Sequence, residues 1–297
     1  MAKGYVLYNP IAGNGDGAIR VKALSDMLTD TLEYHDVTTI TDYEAFLNSL
    51  AAEDYIIIAG GDGTINRFIN NTAKYDIPQD ILYYAIGSGN DFARELGLPS
   101  GSAPVSIKKY LLGLPAVEVN GQTYRFINGV GYGIDGYCCQ VGDEQRAIPG
   151  KKVNYTEIAI KGLLFHFSAR NAKVTIDGQE YKYNKVWIAP TMFGKYYGGG
   201  MIPTPGQDRN DPEGKLSVMI FHNGGRLRTL IAFPGIFKGE HIKHKKMVKL
   251  HTGNCIRVEF DRPTPLQIDG ETFLDVTSYT AYSPAYLESK KKEPALV

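Results

Sequence analysis

The sequence predicts an α/β fold of two domains: an N-terminal doubly wound domain, then an antiparallel β-sandwich. Three observations carry this. Strand and helix patterns alternate through the first third of the chain. A fully apolar run, Ile56–Ala59, ends abruptly in Gly60-Gly61-Asp62-Gly63-Thr64. Beyond about Val117 the texture changes to closely spaced strands with two-residue turns. Apolar strands that each lead into a helix read as a parallel sheet, and many short strands with turn signals read as a sandwich.

Taken in order, Gly4–Tyr8 reads as a strand, Asn9–Gly17 as a loop and Ala18–Thr31 as a helix. Tyr34–Thr39 reads as a strand and Tyr43–Leu50 as a helix. Tyr55–Ala59 is a buried strand, and Thr64 is placed to N-cap a helix over Ile65–Lys74. Leu82–Ile86 follows, then a loop, Gly87-Ser88-Gly89-Asn90-Asp91, and a helix over Phe92–Leu96 closed by Gly97 with Pro99 beyond. In the second half, Val117–Val119 and Tyr124–Asn128 flank Asn120-Gly121, and Lys173–Ile176 and Glu180–Tyr183 flank Asp177-Gly178; both read as hairpins. Further strands are expected over Val186–Pro190, Leu216–Phe221, Met247–Leu250, Cys255–Phe260 and Leu266–Ile268, with helices near Lys152–Phe167 and Arg226–Phe237. The domains are expected over 1–118, joined by the tail 284–297, and over 119–283; the tip of that tail reads as frayed.

Composition narrows the classes. Apolar residues make up 43% of 297 and charged residues 22%, as in ordinary globular chains. Thirty-two basic and 32 acidic residues cancel, so no global field points to nucleic acid. Three cysteines, Cys138, Cys139 and Cys255, make no disulfide framework and suit a reducing cytoplasm. The N-terminus turns polar too soon for a signal peptide, and no apolar run reaches transmembrane length.

The chemistry lies in three glycine-rich loops that follow strands of the first domain. Asn9-Pro10-Ile11-Ala12-Gly13-Asn14-Gly15 stands before a helix, as a phosphate loop would, but is not a Walker A motif. In the second loop, Gly60, Gly61 and Gly63 let the backbone approach a large group, and Asp62 sets a carboxylate at a strand's carboxyl end. The third loop repeats that logic with Asp91, which reads equally well as a helix N-cap. Two acids at neighbouring strand ends suit magnesium and phosphate. Gly129-Val130-Gly131-Tyr132-Gly133 lacks a dinucleotide fingerprint's third spacing and reads as close packing at the domain junction. His241 and His244 share helical spacing without completing a metal set, and read as a solvated basic face. In Asp269-Gly270-Glu271, Asp-Gly marks a turn. Glu271 reads either as a solvated acid at a hairpin tip or as a general base in an interdomain cleft.

Together these residues resemble the diacylglycerol kinase catalytic-domain family, which includes sphingosine kinases and soluble bacterial lipid kinases. The likeness adds Asn66, Phe92-Ala93, Phe126-Ile127-Asn128, Gly198-Gly199-Gly200-Met201 and Asp211-Pro212-Glu213-Gly214-Lys215-Leu216 to the loops above, and runs from Tyr5 to about Tyr286. It implies an NAD-kinase- and phosphofructokinase-like first domain and ATP in the interdomain cleft. Asn9, Gly13, Thr39, Gly60, Gly61, Asp62, Gly63, Thr64, Asn66, Ser88, Gly89 and Asn90 would line the nucleotide site. Asp62 and Asp91 would organise catalytic Mg2+, and Glu271 would accept the proton. A second, structural magnesium would sit on the backbone carbonyls of Asn210 and Lys215 and the side chain of Glu213, where Glu213 replaces the family's usual Asp. Glu118 matches another acid of the family's water network.

The acceptor implied is a lipid alcohol, diacylglycerol foremost, phosphorylated by a cytoplasmic protein that visits the inner membrane surface. Lys151, Lys152 and Lys161 around Ile158–Phe167, and the basic run within Phe233–Lys249, are docking candidates; a core-packed helix with a solvated face is the alternative. A kinase of a soluble alcohol such as NAD and a catalytically silent nucleotide- or lipid-binding regulator are competing readings. The lipid's identity and the oligomeric state, a homodimer included, stay open.

Overall fold

The computed structural model describes residues 2–148 and 153–292. The chain divides into two compact units, Met1–Gly113 and Leu114–Val297. The expected boundary stood at 118/119 with the tail in the first domain; the described part of that tail, a helix over Pro284–Lys292, groups with the second unit. The frayed tip falls outside the described residues, as do Lys151 and Lys152.

The first unit holds a five-stranded sheet: β1 (Lys3–Tyr8), β2 (Thr31–Asp36), β3 (Tyr55–Gly60), β4 (Asp80–Ala85) and β5 (Val105–Ser106), in the order β2-β1-β3-β4-β5. The first four are parallel, and β5 runs antiparallel to β4 at the edge. Val6, Leu7, Ile56, Ile57 and Ile58 are completely buried, as a strand covered on both faces requires. The register sets Tyr8 beside Asp36 and Ala59, and Gly60 beside Ala85, so the four carboxyl ends lie side by side.

Two local expectations are corrected. The helix over Ala18–Thr31 is three short turns, Gly17–Arg20, Val21–Ala23 and Leu24–Met27, because Leu28 is already extended and β2 begins at Thr31. The helix after β3 runs over Asp62–Asn71, so Thr64 lies inside it rather than capping it. Gly61 takes the cap position with an extended backbone, and its carbonyl accepts from the amides of Thr64 and Ile65.

The second unit is built on a ten-stranded sheet. Its strands are β6 (Ala116–Val119), β7 (Gln122–Arg125), β8 (Gly129–Tyr132), β9 (Arg170–Ile176), β10 (Gln179–Val186), β11 (Thr191–Met192), β12 (Leu216–Phe221), β13 (Val248–Gly253), β14 (Cys255–Ile268) and β15 (Glu271–Tyr282). The main path is β13-β12-β11-β8-β14-β15-β6-β7, with β9 and β10 branching from β14; the pairings are antiparallel. Both expected hairpin turns form, with Asn120, Gly121, Asp177 and Gly178 all at positive φ. Cys255–Phe260 and Leu266–Ile268 join into one strand, whereas Val186–Pro190 is not a strand of its own: Val186 closes β10 opposite Arg170, and Ile188 makes isolated bridges.

A helix over Ile134–Arg146 escapes the sequence reading, because its buried face is largely small: Gly136, Cys138 and Gly142 beside Ile134. β15 escapes it as well, since Asp275 at positive φ interrupts the alternation. The glycines of β8 do mark close packing, but within the second unit's own sheet, between β11 and β14. His241 is completely buried with Nε2 2.8 Å from the Pro203 carbonyl, so it is no part of a solvated face. Ile57→Ala at the centre of the parallel sheet should cost about 2–5 kcal/mol in urea unfolding, the usual penalty for truncating a closed core site.

Candidate active site

The carboxyl ends of β1 to β4 carry every residue proposed for the nucleotide in the first unit. Asn9 follows β1; its amide donates to the Ala59 carbonyl, and its Oδ1 accepts from the Ile11 amide. Thr39 follows β2 and is exposed, its hydroxyl closing a turn on the Asp36 carbonyl at 2.9 Å. Gly61, Asp62, Gly63 and Thr64 follow β3, and Asn66 lies buried one turn further along the helix.

Glycine is required where these loops touch. A Cβ on Gly87 would lie 2.4 Å from the Gly61 Cα, and one on Gly13 would lie 2.7 Å from the Ile86 carbonyl oxygen. The Gly60 carbonyl accepts from the amides of both Ile86 and Gly87 at 3.0 Å. Gly13 itself sits at positive φ, as does Asn90. Ser88 is exposed and donates to Asn14 at 3.3 Å, tying the third loop to the first; Gly89 is half-buried.

The acids are joined through the backbone. Asp62 accepts from the Asp91 amide at 2.8 Å and from the Phe92 amide at 2.9 Å, one on each carboxylate oxygen. It therefore caps the short helix Asp91–Glu95, a place the sequence reading had offered to Asp91. Asp91 is instead the first residue of that helix and is buried. Two neighbours were missed from sequence. Tyr83 is buried, and its phenol is pushed far up by that burial and by the charge of both carboxylates. Arg20 donates to the Ile86 carbonyl and the Ser100 hydroxyl, both at 2.7 Å, bracing the third loop. Neither belongs to a motif, and only the fold brings them in.

In the second unit, Glu271 opens β15 directly after the turn Asp269-Gly270 and is half-buried. Asp269 fixes that turn. Its carboxylate accepts from the amides of Ile127, Asn128 and Gly129 at 2.7, 2.8 and 3.0 Å. Gln267 adds a bond of 2.6 Å from the Gly270 amide. So the acids of the motif divide: Asp269 is a buried clamp, and Glu271 is the carboxylate on the partly open side. Arg209, also buried, donates to the Ile127 carbonyl and the Asn128 side chain.

Asp135 lies close by and was not singled out from sequence. A Cβ on Gly131 would meet its Oδ2 at 1.5 Å and the Gln267 amide nitrogen at 2.7 Å, so glycine makes room for the carboxyl. Tyr197 and Gln267 are near, yet neither carboxyl oxygen has a well-aligned hydrogen bond. Burial lifts the Asp135 carboxyl from 3.8 to about 6.

The proposed second magnesium loop is exposed and braced by its own side chains. Asp208 accepts from the Asn210 amide and Asp211 from the Glu213 amide, both at 2.9 Å. The Glu213 carboxylate lies 2.6 Å from the Lys215 ammonium. Among the described residues, no three His, Cys, Asp or Glu side chains gather tightly enough to hold a metal ion. Glu118 accepts from the Tyr282 hydroxyl at 3.1 Å; burial first, then this carboxylate, pushes that phenol up to about 12.

Two outcomes follow from this geometry. Gly87→Ala should cost about 1–3 kcal/mol in urea unfolding, because the two loop backbones must part. A carboxyl whose pKa rises on folding binds its proton more tightly in the folded chain, so its contribution to stability falls as pH climbs from about 4 through about 6. Asp135→Asn should therefore match the parent's stability at about pH 4 and exceed it by about 1–3 kcal/mol above pH 7.

Comparison with known proteins gives the same picture. Residues 3–116 match the diacylglycerol kinase catalytic domain, and residues 128–289, more than half of the chain, match the YegS C-terminal NAD kinase beta sandwich-like domain. The diacylglycerol kinase of Bacillus subtilis (strain 168) is 27% identical over 286 residues, which span 91% of this chain and 90% of that one. The diacylglycerol kinase of Mycobacterium tuberculosis (strain ATCC 25618 / H37Rv) is 26% identical over 253 residues, 80% of this chain and 79% of that one. A crystal structure described as diacylglycerol kinases from Bacillus anthracis str. Sterne shares the fold, with a TM-score of 0.58 at 19% identity over 96% of this chain and 95% of that one. Loops, turn and both halves of the chain agree: it belongs to the diacylglycerol kinase catalytic-domain family, with a YegS-type second domain, and is a lipid kinase.

Proposed function

We propose that this lipid kinase moves the terminal phosphoryl group of Mg-ATP to the hydroxyl of a membrane lipid alcohol, with diacylglycerol as acceptor and phosphatidic acid as product. The observation that carries the reading is the Asp62 carboxylate, held by two amides at the meeting point of two glycine loops. Phosphoryl transfer asks little covalent chemistry of a protein and much positioning of charge. A rigid acid framed by close-approaching backbone is suited to a triphosphate and its cation.

In this reading Asn9, Gly13, Thr39, Gly60 to Thr64, Asn66 and Ser88 to Asn90 embrace the nucleotide. Asp62 and Asp91 hold the magnesium that accompanies it, which neutralises charge building on the transferred group. Glu271 takes the proton from the acceptor hydroxyl as it attacks phosphorus. Its rigid support by Asp269 favours this role over that of a loose surface acid. For the loop at Asn210, Glu213 and Lys215, a structural cation would have to displace the ammonium that now meets Glu213. The names of the relatives support diacylglycerol as acceptor.

A radiolabelled-ATP assay against a panel of lipid alcohols in detergent micelles, with and without magnesium, tests the proposal; NAD serves as the soluble acceptor. Label in NAD alone, or in nothing, overturns it. Glu271→Gln should lower kcat by about 10²–10⁴-fold, the contribution of a general base, with the fold intact by circular dichroism. Retention of more than about a tenth of the activity removes Glu271 from that role. Asp62→Ala should nearly abolish turnover and also cost about 1 kcal/mol of stability, since it uncaps a helix.

A further inference from the structure

A lipid kinase meets its acceptor at a bilayer, and one face of the second unit carries the marks of such a contact. Helix Arg226–Ala232 presents Leu227 and Ile231 on one side, one turn apart, 67% and 72% exposed. Its other side is buried through Thr229 and Ala232. The Arg226 guanidinium donates to the carbonyls of Leu163 and Phe167 at 2.7 and 2.9 Å, which locks this helix onto the turn Gly162–His166. On that turn Leu163 is buried, while Phe165 is 71% exposed. Helix Arg226–Ala232 runs straight into a 3₁₀ turn, Phe233–Lys238, where Phe237 is exposed beside the buried Ile236.

Single exposed apolar residues are ordinary; large ones gathered on joined elements are not. The surrounding charge is lopsided as well. Residues 226–249 contain seven Lys and Arg against the single acid Glu240, in a chain whose charges balance as a whole. Glu240 lies 3.2 Å from Lys243, and Lys238, Lys245, Lys246 and Lys249 are exposed. Exposed apolar side chains joined in sequence to a basic segment match an anionic bilayer, whose interface takes the former and whose headgroups attract the latter. No helix among the described residues is long and apolar enough to cross a membrane, so such a contact would be peripheral.

We propose that Phe165, Leu227, Ile231 and Phe237 insert into the interfacial layer of an anionic bilayer, with Lys238, Lys245, Lys246 and Lys249 on its headgroups. The proposal deepens the lipid-kinase reading, because it names the surface on which that site meets its acceptor. It also corrects the sequence expectation for these segments. Of Ile158–Phe167, the residues Ile158, Leu163 and Phe167 belong to the core, and the outward apolar pair with the greatest exposure comes from a helix that reading had not nominated.

The test is co-sedimentation of the full chain with vesicles of phosphatidylcholine, with and without phosphatidylglycerol, in the absence of nucleotide. The parent should bind the anionic vesicles and not the neutral ones. Leu227→Asp/Ile231→Asp should weaken that binding about tenfold or more, with an unchanged melting curve. Lys245→Gln/Lys246→Gln/Lys249→Gln, which leaves every apolar contact alone, should weaken it about a hundredfold and flatten its salt dependence. Both variants should phosphorylate a short-chain acceptor in detergent micelles as the parent does. Equal binding to both vesicle types, or full binding by the lysine variant, overturns the proposal. So does sedimentation showing a dimer that Leu227→Asp/Ile231→Asp dissolves, since the face is then a contact between copies. A chain that binds anionic vesicles yet phosphorylates no lipid leaves this surface standing and overturns the kinase assignment instead.

Discussion

Two bonds from one carboxylate hold the first unit's working end together. Asp62 leaves β3 and accepts the amides of Asp91 and Phe92, which leave β4. The loops come close enough for this only because Gly61 and Gly87 face each other without side chains. A larger residue at either point would push the acid away from the amides it caps. The buried position of Asp91 rests on the same approach. A charge fixed in this way loses little freedom when it meets a cation, which is what a reaction run by positioning needs.

The second unit uses the same device. Asp269 gathers three consecutive amides at the entrance to β8, and the turn it fixes delivers Glu271 at the start of β15. In both units, then, one acid of a conspicuous motif is spent on the backbone and holds another acid in place. Residues on rigid elements give sharper geometry than residues on free loops, because strand pairing has already fixed their backbone.

Much of this was legible in the sequence. Parallel strands announce themselves as unbroken apolar runs, and Asn-Gly or Asp-Gly between alternating residues announces a hairpin; both signals are local and both held. The misreadings have a common origin. The helix over Ile134–Arg146 buries glycine and cysteine, so its inner face lacks a visible stripe. Thr64 was assigned a cap that Gly61 occupies, because a cap depends on backbone geometry as well as on side-chain type. His241, polar by type and buried in fact, finds its partner in a carbonyl 38 positions away.

The sequence by itself determined the four parallel strands of the first unit, the two hairpin turns of the second and the glycine loops with their acids, since those follow from local periodicity and the few residues able to adopt tight turns. Only the tertiary structure decided what each acid does. Asp62 became an acceptor for the amides of Asp91 and Phe92, Asp269 for those of Ile127 to Gly129, Asp135 a buried carboxyl with a raised pKa and Glu213 the partner of a lysine. The physical reason is that a carboxylate's role is set by which donors surround it and how far water is excluded, and both are supplied by segments distant in the chain.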